Sequence, residues 1–201
     1  MAHVDYFFAT LSPYTYLAGT RLEAMAAARG ATIRYHPLDI MGLFARTGGT
    51  PPKDRHPNRQ AWRLQELRRQ GARLGMPINV KPAHWPTNPA PSSYAIIAAQ
   101  ASGQGEAAAL GALVHGFTRA CWAEERDIAD DAVVRDVLSA HGYDAGLADS
   151  GLLAGAEEYA ANLETAVARG VFGAPSYVVG EEVFWGQDRI EELALHLDGK
   201  L

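Results

Sequence analysis

Val4-Asp5-Tyr6-Phe7-Phe8-Ala9-Thr10-Leu11-Ser12-Pro13-Tyr14-Thr15 is the stretch on which the fold turns. Its first part, Val4 to Phe8, is a short apolar and aromatic run of strand length. Ser12-Pro13 then opens the spacing Leu17, Leu22, Met25, Ala26, with Gly30 behind it. That order predicts strand, turn and helix, since proline suits a first helical turn and glycine the position past the last. Further on, Ile33 and Tyr35 alternate with Arg34 and His36 between Thr32 and Pro37, which predicts a second strand. The chain opens βαβ.

Beyond Asp39 the character changes. Thr47-Gly48-Gly49-Thr50-Pro51-Pro52 reads as a loop, and Asn58 to Leu74 as a basic helix with Trp62, Leu64 and Leu67 as its apolar positions. Pro77 to Pro91 is an ordered, proline-rich connection. Helical spacing or composition then marks Ala90 to Gln100, Glu106 to Trp122, Asp130 to His141 and Leu153 to Arg169. Strand signals return at Ser176 to Val179 and Glu182 to Trp185 around the turn Gly180-Glu181, before a last helix over Asp188 to Leu197. The order βαβ, helices, ββα predicts an α/β domain formed by 1–40 and 170–201, its halves meeting across one sheet, with a helical domain, 41–169, inserted between them.

The bulk properties narrow the function. With 201 residues, 48% hydrophobic and 20% charged, the chain reads as one ordinary globular unit. A net charge of -5 argues against a general nucleic-acid binder, which needs a basic face for phosphate, and favours small-molecule or protein partners. No apolar stretch reaches membrane-spanning length, and the N-terminus lacks a basic segment followed by an apolar run, so a cytoplasmic setting is expected. The single Cys121 excludes a dithiol centre within one chain and reads as a packing residue on a helix. The histidines lack metal-ligand spacing, so no metal site is expected.

Three short segments carry chemistry. Ser12 before Pro13 is a favoured N-cap; the same helix start also offers free N–H groups and a hydroxyl to an anion such as a thiolate. Ala174-Pro175, standing before a strand, is either a strand-entry proline or a cis peptide that turns the Ala174 backbone outward as a short pairing edge. Trp185-Gly186-Gln187-Asp188 precedes the last helix, where Asp188 with Glu191 three residues on matches a capping box. A helix start carrying a carboxylate could equally bind the carboxylate and amine of an amino acid.

Together these segments resemble the 2-hydroxychromene-2-carboxylate isomerases and the kappa-class glutathione transferases. The resemblance runs through Asp5-Tyr6-Phe7-Phe8 into Leu11-Ser12-Pro13-Tyr14, then Thr47 to Pro52, Gly170-Val171-Phe172-Gly173-Ala174-Pro175, and Phe184 to Arg189. It implies a thioredoxin-like α/β fold interrupted by an inserted all-helical domain, with glutathione as cofactor. Ser12 would contact the glutathione sulfur, Ala174 before a cis Pro175 would pair with the cysteinyl backbone, and Trp185, Gly186, Gln187 and Asp188 would hold the γ-glutamyl end. It also implies a homodimer and a small aromatic substrate. Related disulfide oxidoreductases carry Cys-x-x-Cys where this chain has Ser12 and Thr15, so dithiol exchange is not implied.

The chain departs from that family at Gly49-Thr50, where many members have Asn-Lys in a substrate-positioning loop. Arg46, Lys53 and Arg55 flank it, either replacing the lost charge toward a carboxylate or standing as solvated surface. Trp85 falls where relatives place an aromatic near the acceptor pocket, or simply packs a loop. Arg59, Arg63, Arg68, Arg69 and Arg73 read as a solvated face that can also steer an anion. The expected activity is glutathione-dependent cis/trans isomerisation; permanent conjugation of an electrophile and a redox-inactive peptide-binding module are the alternatives.

Overall fold

A computed structural model describes residues 1–105 and 109–201. Strand β1 (His3–Phe8) is followed by α1 (Pro13–Ala18), α2 (Arg21–Ala27) and β2 (Thr32–Pro37). Helices α3 (Ile40–Thr47), α4 (Pro57–Leu74), α5 (Ala90–Ser102), α6 (Ala109–Trp122), α7 (Asp131–Ala140), α8 (Leu147–Ser150) and α9 (Leu152–Ala168) come next. Strands β3 (Ser176–Val179) and β4 (Glu182–Trp185) and helix α10 (Ile190–Leu197) close the chain. The sheet order is β2-β1-β3-β4, with β1 parallel to β2 and antiparallel to β3. This is the mixed sheet of a thioredoxin-like fold with a helical block between β2 and β3.

Strand alternation sends two cores to the two faces. Val4, Tyr6 and Phe8 face the larger one, where Tyr6 stacks on Tyr177 at 5.3 Å and meets Tyr35 edge-on at 5.8 Å. Each such aromatic pair contributes about 0.5–1.5 kcal/mol beyond its buried area. Phe7 faces the other way, into a smaller core with Leu38, Leu43, Ala166, Val171 and Val178. There His36 stacks on Phe7 at 4.6 Å and bonds Asp5 and Asn162, each at 2.9 Å, while Asn162 donates to the Pro37 carbonyl at 3.0 Å. That buried polar chain ties α9 to the sheet.

Three differences from the sequence reading stand out. The first helix is two, because Gly19 at φ +60° breaks it and donates to the Tyr16 carbonyl at 3.0 Å. Helix α3 replaces a stretch assigned no element: Asp39 caps it by accepting from the Met41 N–H at 3.0 Å. The short α8 was not foreseen either. Helix α6 is described from Ala109, and its expected start at Glu106 lies outside the described residues.

Candidate functional site

The turn between β1 and α1 is set by Ser12, whose N–H bonds the Ala9 carbonyl at 2.9 Å. Its buried hydroxyl caps α1 by accepting from the Thr15 N–H at 3.3 Å, and it donates to the Ala174 carbonyl at 3.5 Å. The second bond is at the outer limit of hydrogen bonding, so that hydrogen is easily redirected. The Ala174-Pro175 peptide is cis, which resolves the alternative the sequence left open. A second cis peptide, Trp85-Pro86, was not anticipated.

Trp85 and Trp122 both donate their indole N–H to one acceptor, the Leu11 carbonyl, at 3.1 and 3.2 Å. The connection that carries Trp85 is held again at Pro77, whose carbonyl accepts from the Tyr16 hydroxyl at 2.5 Å. Two tryptophans of the helical block are thus fastened to the residue before Ser12. The Trp85 ring becomes a wall beside the start of α1.

Those walls enclose a cavity of about 410 Å³. Ser12, Tyr14, Ala174, Trp185 and Trp85 line it, with Ile40, Met41 and Phe44 of α3 and Pro51 and Pro52 as apolar surface. Gly173 also lines it, and a Cβ there would stand 2.4 Å from Trp185 Nε1, so its hydrogen side chain lets the indole lie against the chain. A separate hollow of about 470 Å³ is lined by residues that include Glu23, Tyr35, Gln100 and Tyr143, and holds none of the candidate site residues.

The remaining sequence candidates stand elsewhere. Gln187 is buried beneath the β4 end, where Arg21 Nη2 donates to its side-chain oxygen at 2.6 Å and its carbonyl at 2.8 Å. Gly186 takes φ +129°, in the region that favours glycine, and donates to the Pro175 carbonyl at 3.0 Å. This turn folds the Asp188 carboxylate back over Gly186, and it pairs with Arg189 at 3.1 Å. The expected capping box is therefore absent: Arg189 is the N-cap of α10 and makes no side-chain cap bond. Arg46 points away from the cavity to an ion pair with Glu164 of α9. Gly49 is seated against the Phe44 ring, and the exposed Thr50 offers its carbonyl to Arg55 Nε at 2.8 Å.

The sequence reading erred most at α4. Trp62, read as one of its apolar positions, is 54% exposed, whereas Arg63, read as part of a solvated face that can also steer an anion, is 7% exposed and lines the cavity. Its guanidinium lies over Trp85 at 5.0 Å and faces Trp122 at 5.8 Å, a double cation–π contact. Burial pushes its pKa down, Tyr14 opposes that, and nearby Arg55 adds to it. Burial likewise raises the Tyr14 phenol and lowers Arg55. The signal was available in the four-residue spacing of Arg63, Leu67 and Gly71, which form the buried face of α4.

Cys121 is buried on α6, outside the cavity lining, and burial pushes its thiol up to about 12. Among the described residues, no group of three or more His, Cys, Asp or Glu is placed to hold a metal ion, and no helix is long and apolar enough to cross a membrane. A thioredoxin-like fold with serine at the helix start, a cis-proline opposite and no thiol in the cavity defines a class of protein, and comparison with known families agrees. The chain belongs to the DsbA-like thioredoxin domain family, whose model matches residues 3–198.

Within that class the similarity is to one kind of enzyme. The chain is 30% identical over 198 residues to a 2-hydroxychromene-2-carboxylate isomerase of Sphingobium xenophagum, covering 96% of this chain and 97% of that one. A Pseudomonas putida protein of the same name is 31% identical over 195 residues, covering 93% and 90%. The solved structure of a 2-hydroxychromene-2-carboxylate isomerase superposes with a TM-score of 0.80 at 27% identity, covering 98% and 95% of the two chains. A probable DsbA oxidoreductase from Streptomyces coelicolor, 19% identical with a TM-score of 0.72 and covering 100% and 92%, shares the fold. The chain thus resembles isomerases over nearly its whole length.

Proposed function

We propose that the protein is a glutathione-dependent cis/trans isomerase acting on 2-hydroxychromene-2-carboxylate or a similar intermediate of aromatic degradation. One observation carries the reading: Ser12, Ala174 and Trp185, from opposite ends of the chain, line a single cavity that no cysteine of this protein enters. The named relatives support the isomerisation half of the proposal.

The cavity residues fit glutathione. Among the described residues the Ala174 and Tyr14 N–H groups have no partner, the Ser12 hydroxyl is held only by a long bond, and the Trp185 indole is half exposed. Bound glutathione supplies the nucleophilic thiolate of a reversible addition and elimination, and is regenerated in each cycle. Ser12 turns its hydrogen from Ala174 to that sulfur and holds it in the charged form. Ala174 pairs with the cysteinyl backbone, and Pro175 follows it in the cis form. The γ-glutamyl end runs past Trp185 and out of the cavity to the turn Gly186-Gln187-Asp188, where Gln187 is held by Arg21 and the Asp188 carboxylate exchanges Arg189 for the ligand's amine. Trp85 presents an aromatic face to the substrate. We assign the working form as a cytoplasmic homodimer, which a solution mass measurement checks.

Calorimetry with glutathione is the first test, and absence of binding at millimolar ligand removes the reading. Product analysis is the second. A stable glutathione adduct accumulating in stoichiometric amount identifies a transferase and defeats the isomerase proposal.

A further inference from the structure

We infer that Arg63, assisted by Arg55, is the carboxylate-binding residue of the cavity, so that the protein selects flat aromatic acids over their neutral counterparts. The inference builds on the proposed activity by assigning the group that recognises the substrate's charge. It starts from an imbalance. Among the cavity's lining residues Lys53, Arg55 and Arg63 are cationic and Asp39 alone is acidic. The Asp39 carboxylate is engaged as the cap of α3.

Arg63 is the exceptional member. Its side chain is almost fully buried, yet among the described residues it has neither a hydrogen bond nor an ion-pair partner. Two other charge-bearing side chains inside the fold each keep a partner: His36 is held by Asp5 and Asn162, and Glu23, although one of its oxygens is unpaired, accepts from the Tyr35 hydroxyl. Burying an unmatched guanidinium is unfavourable, and the faces of Trp85 and Trp122 offset only part of that cost. Held beside the two indoles and bonded to no protein acceptor among the described residues, the guanidinium has its N–H groups available, and that fork matches the two oxygens of a carboxylate.

The neighbours suit a planar acid. Trp85 supplies a ring face, and Phe44, Pro51, Pro52 and Pro86 line the same space. Arg55, tethered through Nε to the Thr50 carbonyl at 2.8 Å, has its other guanidinium nitrogens free for the same anion. This gives the loop that departs from the family's Asn-Lys pattern a role: it anchors a cation by its backbone rather than supplying one from a side chain.

The test is binding of trans-cinnamate and of cinnamamide, its neutral counterpart, read by the fluorescence of the tryptophans that flank Arg63. Wild type is expected to favour cinnamate about tenfold or more, the range of a charge-assisted pair. R63M, which keeps the packing stem, should abolish the preference while leaving glutathione binding by calorimetry unchanged. Equal binding of the two probes by wild type, or a preference retained in R63M, overturns the inference. If R63M does not fold, R63K carries the test: its ammonium lacks the fork, and a preference equal to wild type overturns the bidentate assignment. Failure of glutathione to bind while cinnamate is still preferred removes the isomerase proposal and supports the anion site independently.

Discussion

Replacing Ser12 by alanine separates the two jobs of one hydroxyl. As a cap it accepts from the Thr15 N–H at 3.3 Å, and loss of an N-cap costs about 0.5–2 kcal/mol, with so long a bond near the lower end. As a thiolate donor it gives up only the 3.5 Å contact to Ala174, so little is subtracted from the new bond. A hydrogen bond to a charged group is worth about 1.5–3 kcal/mol, and one pH unit corresponds to about 1.4 kcal/mol. The variant should therefore raise the bound thiol's pKa by about one to two units. The thiolate population near neutrality falls by at most about ten- to a hundredfold, and by less the further the wild-type pKa lies below the working pH, while a more basic thiolate is intrinsically more reactive and recovers about half of the loss on a logarithmic scale. Turnover should drop by up to about three- to tenfold, with the KM for the aromatic substrate nearly constant. Ultraviolet titration of the thiolate in the glutathione complex measures the shift, and Ser12→Thr, which keeps a hydroxyl, should largely restore it. A bound-thiol pKa identical in wild type and Ser12→Ala, with glutathione demonstrably bound, refutes the reasoning.

Three further perturbations have defined outcomes. Gly173→Ala places a methyl 2.4 Å from Trp185 Nε1 and must displace that half-exposed indole, so glutathione affinity should fall by about tenfold while unfolding stability changes by under about 1 kcal/mol; unchanged affinity in calorimetry counts against the Trp185 wall. Burial works to raise the Asp5 carboxyl, but the His36 hydrogen bond and the His36 and Arg169 charges outweigh it and hold the pKa below the ordinary value. Its stabilisation is therefore complete above the ordinary carboxylate range and is lost as pH falls through the lowered value; Asp5→Asn should flatten that acid limb in urea titrations, and parallel wild-type and variant curves would exclude it. Cys121, its thiol pushed up to about 12 by burial, should resist iodoacetamide in the native chain near neutrality and react once unfolded, and similar rates in both states would contradict its burial.

Where the signal was local, the sequence was easy to read. Strands Thr32–Pro37, Ser176–Val179 and Glu182–Trp185 fall where alternation and the Gly180 turn put them, because period and turn chemistry are carried by adjacent residues. Helix α3 was hidden because Gly42 interrupts a short run that leads directly into Thr47-Gly48-Gly49, and its stability comes from packing on Leu163 and Ala166 of α9 rather than from its own composition. Ser12, Trp185 and Trp85 could be named from the sequence, but which candidates share a cavity depends on the turn at Gly186 and the ion pair of Arg46, neither of which has a one-dimensional trace. Arg63 was misplaced for a related reason: a charge is normally a mark of solvent, and only the two indoles from other elements make its burial tolerable.

The Leu11 carbonyl, shared by two indoles, also has a consequence for the order of assembly. It couples position 11 to positions 85 and 122, and Ser12 reaches across 162 residues to Ala174. During synthesis, β1 and α1 emerge with this oxygen unclaimed, and Ala174 and Trp185, which complete the cavity lining, are made only near the end of the chain. Contacts of such long sequence separation are slow to form. The cavity is therefore among the last features of the molecule to exist, and a nascent chain has no partly competent version of it.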